Sequence, residues 1–222
     1  MKKIKILSTK ILNEDLKKMF DDKKFDLFEH DFIKISSINF ELPEHDGSWI
    51  FTSQNTVNAV FSISKNINII FNKIYCVGEN TKSILSKNGQ KVEKTLKNSS
   101  KLANFISKKA KNEKFLFCRS NIKNNDFTAF FKKEKIDLKE IVVYNNQPNS
   151  VTLNDKFEAI MFYSPSGINS FLKNNKLDSS YCICIGDTTA SYAKNYSSNV
   201  VSCKTPSIKH VIKKTIKLFE NE

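Results

Sequence analysis

Short apolar runs alternate with amphipathic stretches along the whole chain. Residues 4–9 and 115–119 are compact runs of the kind that buries both faces of a parallel strand. Residues 13–20 and 127–133 carry helical spacing. Further strands are predicted at 28–35, 49–52, 74–77 and 91–94, and again at 140–144, 159–163, 182–185 and 200–203. Helix-like stretches, such as 56–61 and 167–172, follow most of them. Strand and helix in alternation predict parallel sheets with helices on both faces, an α/β, doubly wound architecture.

The chain is written twice. At an offset of 111, Phe25-Asp-Leu-Phe-Glu29 lies over Ile136-Asp-Leu-Lys-Glu140, and Ile50-Phe-Thr-Ser53 over Met161-Phe-Tyr-Ser164. At an offset of 108, Val77-Gly-Glu-Asn-Thr81 lies over Ile185-Gly-Asp-Thr-Thr189, and Ser99 over Ser207. An ordered series at near-constant offset indicates duplication of a unit of ordinary domain size. Polar segments 35–43 and 145–154, with Pro43 and Pro148, read as crossovers. Two divisions remain open on pattern alone. One splits the chain near residue 111. The other joins 1–35 with 150–222 around an inserted domain of 36–149.

Composition narrows the function classes. The 222 residues are 40% hydrophobic, too many for a disordered chain, yet no apolar run approaches the ~18 residues of a membrane span. The first residues lack the apolar core and cleavage site of a signal peptide, so a cytoplasmic protein is expected. Net charge is +13, but a single residue, Arg119, is arginine and the rest of the cations are lysine. Residues 1–111 hold 20 basic and 12 acidic residues, and 112–222 hold 16 and 11, so there is no basic tail. Base readout leans on arginine. A lysine-rich surface attracting a small polyanion is therefore the better reading, and no nucleic acid partner is expected. The five cysteines have no CxxC spacing, and Cys182 and Cys184 fall on one face of a strand, as small buried hydrophobes would. His30, His45 and His210 are scattered, and no metal site is expected.

The predicted strands end in polar turns. They read Thr52-Ser-Gln-Asn55, Gly78-Glu-Asn-Thr81 and Asn98-Ser-Ser100 in one copy. In the other they read Ser164-Pro-Ser-Gly167, Gly186-Asp-Thr-Thr189 and Thr205-Pro-Ser207. Any one of them is explained as an N-cap worth ~1 kcal/mol. As a set they are helix N-termini on sheet rims, where free N–H groups favour anions. No phosphate loop or GxSxG elbow is present, so neither a nucleotide cofactor nor a serine triad is expected. Tyr144 falls over Ile33 at the 111 offset, just before Asn145-Asn146-Gln147. It is either an ordinary strand tyrosine or a neutral O–H donor, since phenols generally titrate near ~10 and can assist a departing hydroxyl.

The series Ile50–Ser53, Val77–Thr81, Val142–Asn145, Phe162–Gly167, Ile185–Ala190 and Ser202–Ser207, in that order, resembles the uroporphyrinogen-III synthase family. The resemblance implies two doubly wound, flavodoxin-like domains in a bilobal chain, with a two-stranded linker and a discontinuous first domain. It implies a monomeric, cofactor-free lyase acting on hydroxymethylbilane, with no membrane partner. Water is lost, ring D is inverted through a spiro intermediate, and the macrocycle closes. The family's tyrosine maps to Tyr144 as the catalytic residue. Its hydroxyl-bearing turn residues map to Ser53, Thr81, Ser164, Ser166 and Thr189, with Gln54 and Thr188 beside them in the same turns. Many members end the first strand in Thr-Arg; here it is Thr9-Lys10, and the second copy has Arg119-Ser120. Lys10 keeps the charge but loses the guanidinium fork. The alternative is a non-catalytic two-lobed binding protein for a small polyanion.

Overall fold

The computed structural model describes residues 3–63, 71–123 and 125–220. The chain divides into two compact units, one ending at Lys34 and resuming at Gln147, the other running from Ile35 to Asn146. Among the described residues no helix is long and apolar enough to cross a membrane.

Unit 1 is built on a sheet ordered β11-β10-β9-β1-β2. Its strands are β1 (Ile4–Ser8), β2 (Phe25–Glu29), β9 (Ala159–Phe162), β10 (Tyr181–Cys184) and β11 (Val200–Ser202), every pairing parallel. Alternate residues go to opposite faces. Leu7, Ile160 and Phe162 pack with α6 (Pro165–Leu172) and α7 (Asp187–Ala193) through Ile168, Phe171, Ala190 and Ala193. Ile6, Ala159 and Met161 meet Leu16 of α1 (Glu14–Lys17) and Val211 and Ile212 of α8 (Ile208–Leu218) on the other face.

Unit 2 repeats the plan. Its strands are β4 (Ser48–Phe51), β5 (Lys73–Val77), β6 (Lys94–Leu96), β7 (Phe115–Ser120) and β8 (Leu138–Pro148). The sheet is ordered β3-β8-β7-β4-β5-β6, where β3 is Ile33–Ser37. Trp49, Phe51, Leu116 and Cys118 pack with α2 (Gln54–Ile63) and α3 (Glu79–Lys87). Ile50, Phe115 and Phe117 pack with α4 (Ser99–Lys109) and α5 (Asn125–Lys133). The chain leaves unit 1 in β3 and returns in β8, and these two strands are neighbours in the sheet.

The predicted strand at 28–35 is in fact two. β2 pairs with β1, and β3 belongs to the other sheet. The break falls at His30–Phe32, where Asn149 takes over: its N–H donates to Phe32 O at 2.8 Å and its Nδ2 to Asp31 O at 2.7 Å. The polar stretch expected as a crossover from 145 is still strand, since β8 runs unbroken for 11 residues to Pro148. The Cys182 and Cys184 thiols lie in the core, and burial pushes them up to about 11 and about 12, which keeps them unreactive.

At the amino end of the unit 2 sheet, Glu113 gathers three donors. Ser48 Oγ donates at 2.5 Å, Lys73 Nζ at 2.8 Å and Tyr75 O–H at 3.2 Å. Burial alone would raise this carboxyl, but the donors outweigh it and hold it below the usual range. A depressed folded value stabilises the fold above the unfolded carboxyl pKa of about 4.3 and is lost as pH falls through the folded value. Glu113→Gln is expected to unfold at lower temperature at pH 7 and to lose less on acidification than the parent, as thermal melts across pH will show. Next to it, a Cβ on Gly47 would lie 2.4 Å from Lys114 O, the acceptor of Ser48 N–H. Gly47→Ala should cost about 1–3 kcal/mol in denaturant unfolding through this overpacking.

Candidate functional site

Each sheet reverses its strand order once. In unit 1 the chain steps outward from β1 to β2 on one side and from β9 to β11 on the other, so the reversal lies between β1 and β9. In unit 2 it lies between β4 and β7. Open parallel sheets bind ligands beyond the carboxyl ends of the strands at such a switch point. The two units therefore present equivalent rims, and the sequence-predicted residues can be located on each.

In unit 1, β1 runs out into Lys10, whose side chain is exposed, and β9 into Ser164. Ser164 Oγ caps α6 by accepting Gly167 N–H at 3.1 Å and lies 3.0 Å from Ser166 Oγ. Lys10, Ser164 and Ser166 thus share the switch point. Thr188 and Thr189 stand one strand farther out, in the first turn of α7. Thr188 is exposed, whereas Thr189 is 3% exposed and turned into the packing beneath the helix.

In unit 2, Ser53 and Gln54 follow β4. Ser53 Oγ accepts Asn55 N–H at 3.2 Å at the start of α2, and Gln54 is exposed. Thr81, in the first turn of α3, is 4% exposed, as its counterpart Thr189 is nearly so. Both buried threonines sit third in their helices, facing the sheet, and offer a ligand little surface. Arg119 ends β7 at the switch point but is not a free cation. Its Nε donates to Glu140 Oε2 at 2.5 Å and its Nη1 to Ser120 O at 2.8 Å. Glu140 lies opposite Phe117, on the face that packs with α4 and α5, whereas Tyr144, past the irregularity on β8, packs with the cluster on the other face. The pairing of Glu140 with Arg119 was not readable in the sequence.

Tyr144 lies one strand beyond β7 and is 6% exposed, against Trp49, Phe51 and Val143 of the apolar cluster. A bulge between Arg119 and Ser120 sets Ser120 opposite Tyr144, where regular pairing would have set Val143. The Tyr144 hydroxyl finds no hydrogen-bond partner among the described residues. Asn121 N–H donates to Tyr144 O at 3.1 Å, and Asn146 N–H to Asn121 Oδ1 at 2.7 Å. Sequence reading missed Asn121, and it named Asn146 only as part of the polar stretch after Tyr144.

The helices at the rims are not capped alike. Ser164, Asn98 and Ser207 cap α6, α4 and α8 with their side chains. Gly78 and Gly186, before α3 and α7, supply no side-chain cap. Gly78 has φ of 83°, which glycine alone adopts freely. The uncapped pair is the one duplicated as Gly-Glu-Asn-Thr and Gly-Asp-Thr-Thr, and among the described residues no side chain caps its first N–H groups. Among the described residues no cluster of three or more His, Cys, Asp or Glu could hold a metal ion.

Comparison with known proteins agrees with this plan. The chain resembles the crystal structure of uroporphyrinogen-III synthetase from Helicobacter pylori, with a TM-score of 0.68 at 20% identity, covering 97% of this chain and 99% of that one. It resembles a mutant uroporphyrinogen III synthase from the extremely thermophilic bacterium Thermus thermophilus with a TM-score of 0.70 at 9% identity, covering 99% and 100%. At such identities both speak for the fold. A porphyrin biosynthesis protein HemD of Ruminiclostridium josui is 27% identical over 118 residues, which are 48% of this chain and 23% of that protein's length. The chain therefore spans about a quarter of that relative in the match. The family model described as uroporphyrinogen-III synthase HemD matches residues 32–213, most of the length and parts of both units. The chain belongs to the uroporphyrinogen-III synthase HemD family.

Proposed function

We propose that the protein closes hydroxymethylbilane to uroporphyrinogen III, with loss of water and inversion of ring D. The observation that carries this reading, in a chain of this family, is the repeated rim. Each unit supplies cations, hydroxyls and helix N-termini at a switch point, and a linear tetrapyrrole with eight carboxylates needs many such places. The reaction balances without a redox partner: a hydroxyl leaves as water and a ring closes. The reading carries with it a monomer working in the cytoplasm, with no nucleic acid or membrane partner.

The chemistry explains why no strong acid or base stands out. Departure of the hydroxyl leaves an electrophilic azafulvene. Direct closure would give the symmetric isomer, so the protein's work is to present the substituted carbon of ring D instead. That is catalysis by positioning and by exclusion of the wrong closure. Lys10, Ser164, Ser166 and Thr188 in unit 1, with Ser53, Gln54 and Arg119 in unit 2, are the groups proposed to hold the carboxylates. Thr81 and Thr189, being buried, are proposed to support the helix ends beside them. Tyr144 is proposed to donate its O–H to the departing hydroxyl, a role favoured by a hydroxyl left without a partner among the described residues.

Incubated with freshly prepared hydroxymethylbilane, the purified chain is expected to yield the type III isomer, identified by chromatography of the oxidised product. Type I alone at the spontaneous rate would reject the reading. Stoichiometric uptake without turnover would favour the polyanion-binding alternative. Tyr144→Phe should lower kcat by roughly ten- to a hundredfold with product affinity kept. An unchanged kcat would remove Tyr144 from the mechanism.

A further inference from the structure

The loop after β1 is held at every residue. Thr9 N–H and Oγ1 both donate to Met161 O, at 3.1 and 2.7 Å. Ser8 Oγ, fully buried, donates its one proton to Lys10 O at 2.5 Å. Tyr163 O–H lies 3.1 Å from Ser8 Oγ and must therefore be the donor in that contact. Burial pushes the Tyr163 phenol far above its ordinary value, so it stays a donor. Ile11 N–H donates to Asp31 Oδ1 at 2.9 Å, and Leu12 N–H to Glu29 Oε1 at 2.7 Å. Glu29 Oε2 is in turn paired with Lys17 Nζ at 3.0 Å. What this clamped loop shows to solvent is the Lys10 side chain and Ile11, which is 56% exposed.

Asp31 is itself anchored. Its carbonyl accepts Asn149 Nδ2, and His30 Nε2 donates to Asn149 O at 2.9 Å. Asp31 lies two residues past the end of β2, beside the loop that leaves β1. In unit 2 the loop after β7 is held differently, with Asn121 N–H donating to the Tyr144 main-chain carbonyl.

We propose that Asp31 is a positioning residue for Lys10: its carboxylate fixes the 9–12 loop, so that the Lys10 backbone is already in place and only its side chain has to order on a substrate carboxylate. The inference rests on the synthase reading above. A flexible lysine stem would otherwise spend rotamer and loop entropy on each contact, whereas a fixed backbone leaves only the side chain to order.

The test uses the full chain and hydroxymethylbilane. Asp31→Ala is expected to raise KM about tenfold with kcat nearly unchanged. Asp31→Asn, which keeps the acceptor oxygen, should restore it. In a Lys10→Ala background, Asp31→Ala should raise KM no further, because the two residues act through one contact. An unchanged KM, or a full additional rise in the Lys10→Ala background, overturns the proposal. Amide exchange at Ile11 gives a readout apart from turnover: faster in Asp31→Ala and restored in Asp31→Asn, or unchanged in both if no clamp exists. Should the parent chain make only the type I isomer, the synthase reading fails while the exchange measurement still decides the clamp. If Asp31→Ala does not fold, Tyr163→Phe removes one donor and keeps the ring. Its rise in KM, again absent without Lys10, supports the clamp, and no rise counts against it.

Discussion

The pairing of β1 with β9 makes unit 1 possible. Ile6, Leu7 and Ser8 lie against Ala159, Ile160 and Met161, residues brought together across most of the chain. Glu158 N–H donates to Lys5 O, and Lys5 N–H to a Glu158 carboxylate oxygen, closing the same seam. Both faces of this seam are buried, so a slip of one residue would exchange the side chains of the two apolar clusters. The same joint in unit 2, β4 with β7, links residues far nearer in sequence. The two joints are equivalent in the sheets and opposite in chain order. Unit 1 takes two strands from the first sequence copy and three from the second, and unit 2 takes four from the first and two from the second. Duplication and folding unit thus cross, and a cut at residue 111 would separate β7 from β4 and leave neither sheet whole. Such non-local pairing carries a loop-closure cost and favours slow folding.

That joint also makes the site. Where strand order reverses, the helices leave to opposite faces and the strand tips stand clear. The chain fills those tips with short polar residues, some committed to capping and some left open. Gly78 and Gly186, one strand out from the reversal in each sheet, leave their helices without a side-chain cap among the described residues. An anion can be held there by dipole and amide alone. The demand of the proposed reaction is of the same kind, since holding a flexible acidic molecule in one shape calls for many moderate contacts and few strong ones.

The sequence pattern carried the strands that are buried on both faces, because continuous apolar runs such as 49–52 and 159–163 admit little else. It ran two strands together at 28–35, because β2 and β3 are both extended and only a hydrogen-bond handover at Asp31–Phe32 separates them. It set Tyr144 over Ile33 on a regular two-residue alternation, which the extra Val143 on β8 interrupts, so periodicity could not expose its true register. The exposed Lys10, Gln54 and Thr188 were readable as rim residues. The burial of Thr81 and Thr189 was not, since it depends on a third-position side chain turning under its helix. Arg119 looked free because its partner, Glu140, lies on the next strand.

A lysine after the first strand makes a different demand on its surroundings than an arginine would. A guanidinium brings its own geometry, a planar fork that meets a carboxylate in two places. An ammonium brings charge without direction, so direction must come from the backbone that carries it. The loop from Ser8 to Leu12 supplies it, with main-chain groups committed to Met161, Asp31, Glu29 and the Ser8 hydroxyl. In unit 2 the order of dependence is reversed. There the arginine is held by Glu140 and Ser120, while the following loop leans on Asn121. One unit fixes the guanidinium itself, and the other fixes only the backbone from which the lysine side chain extends.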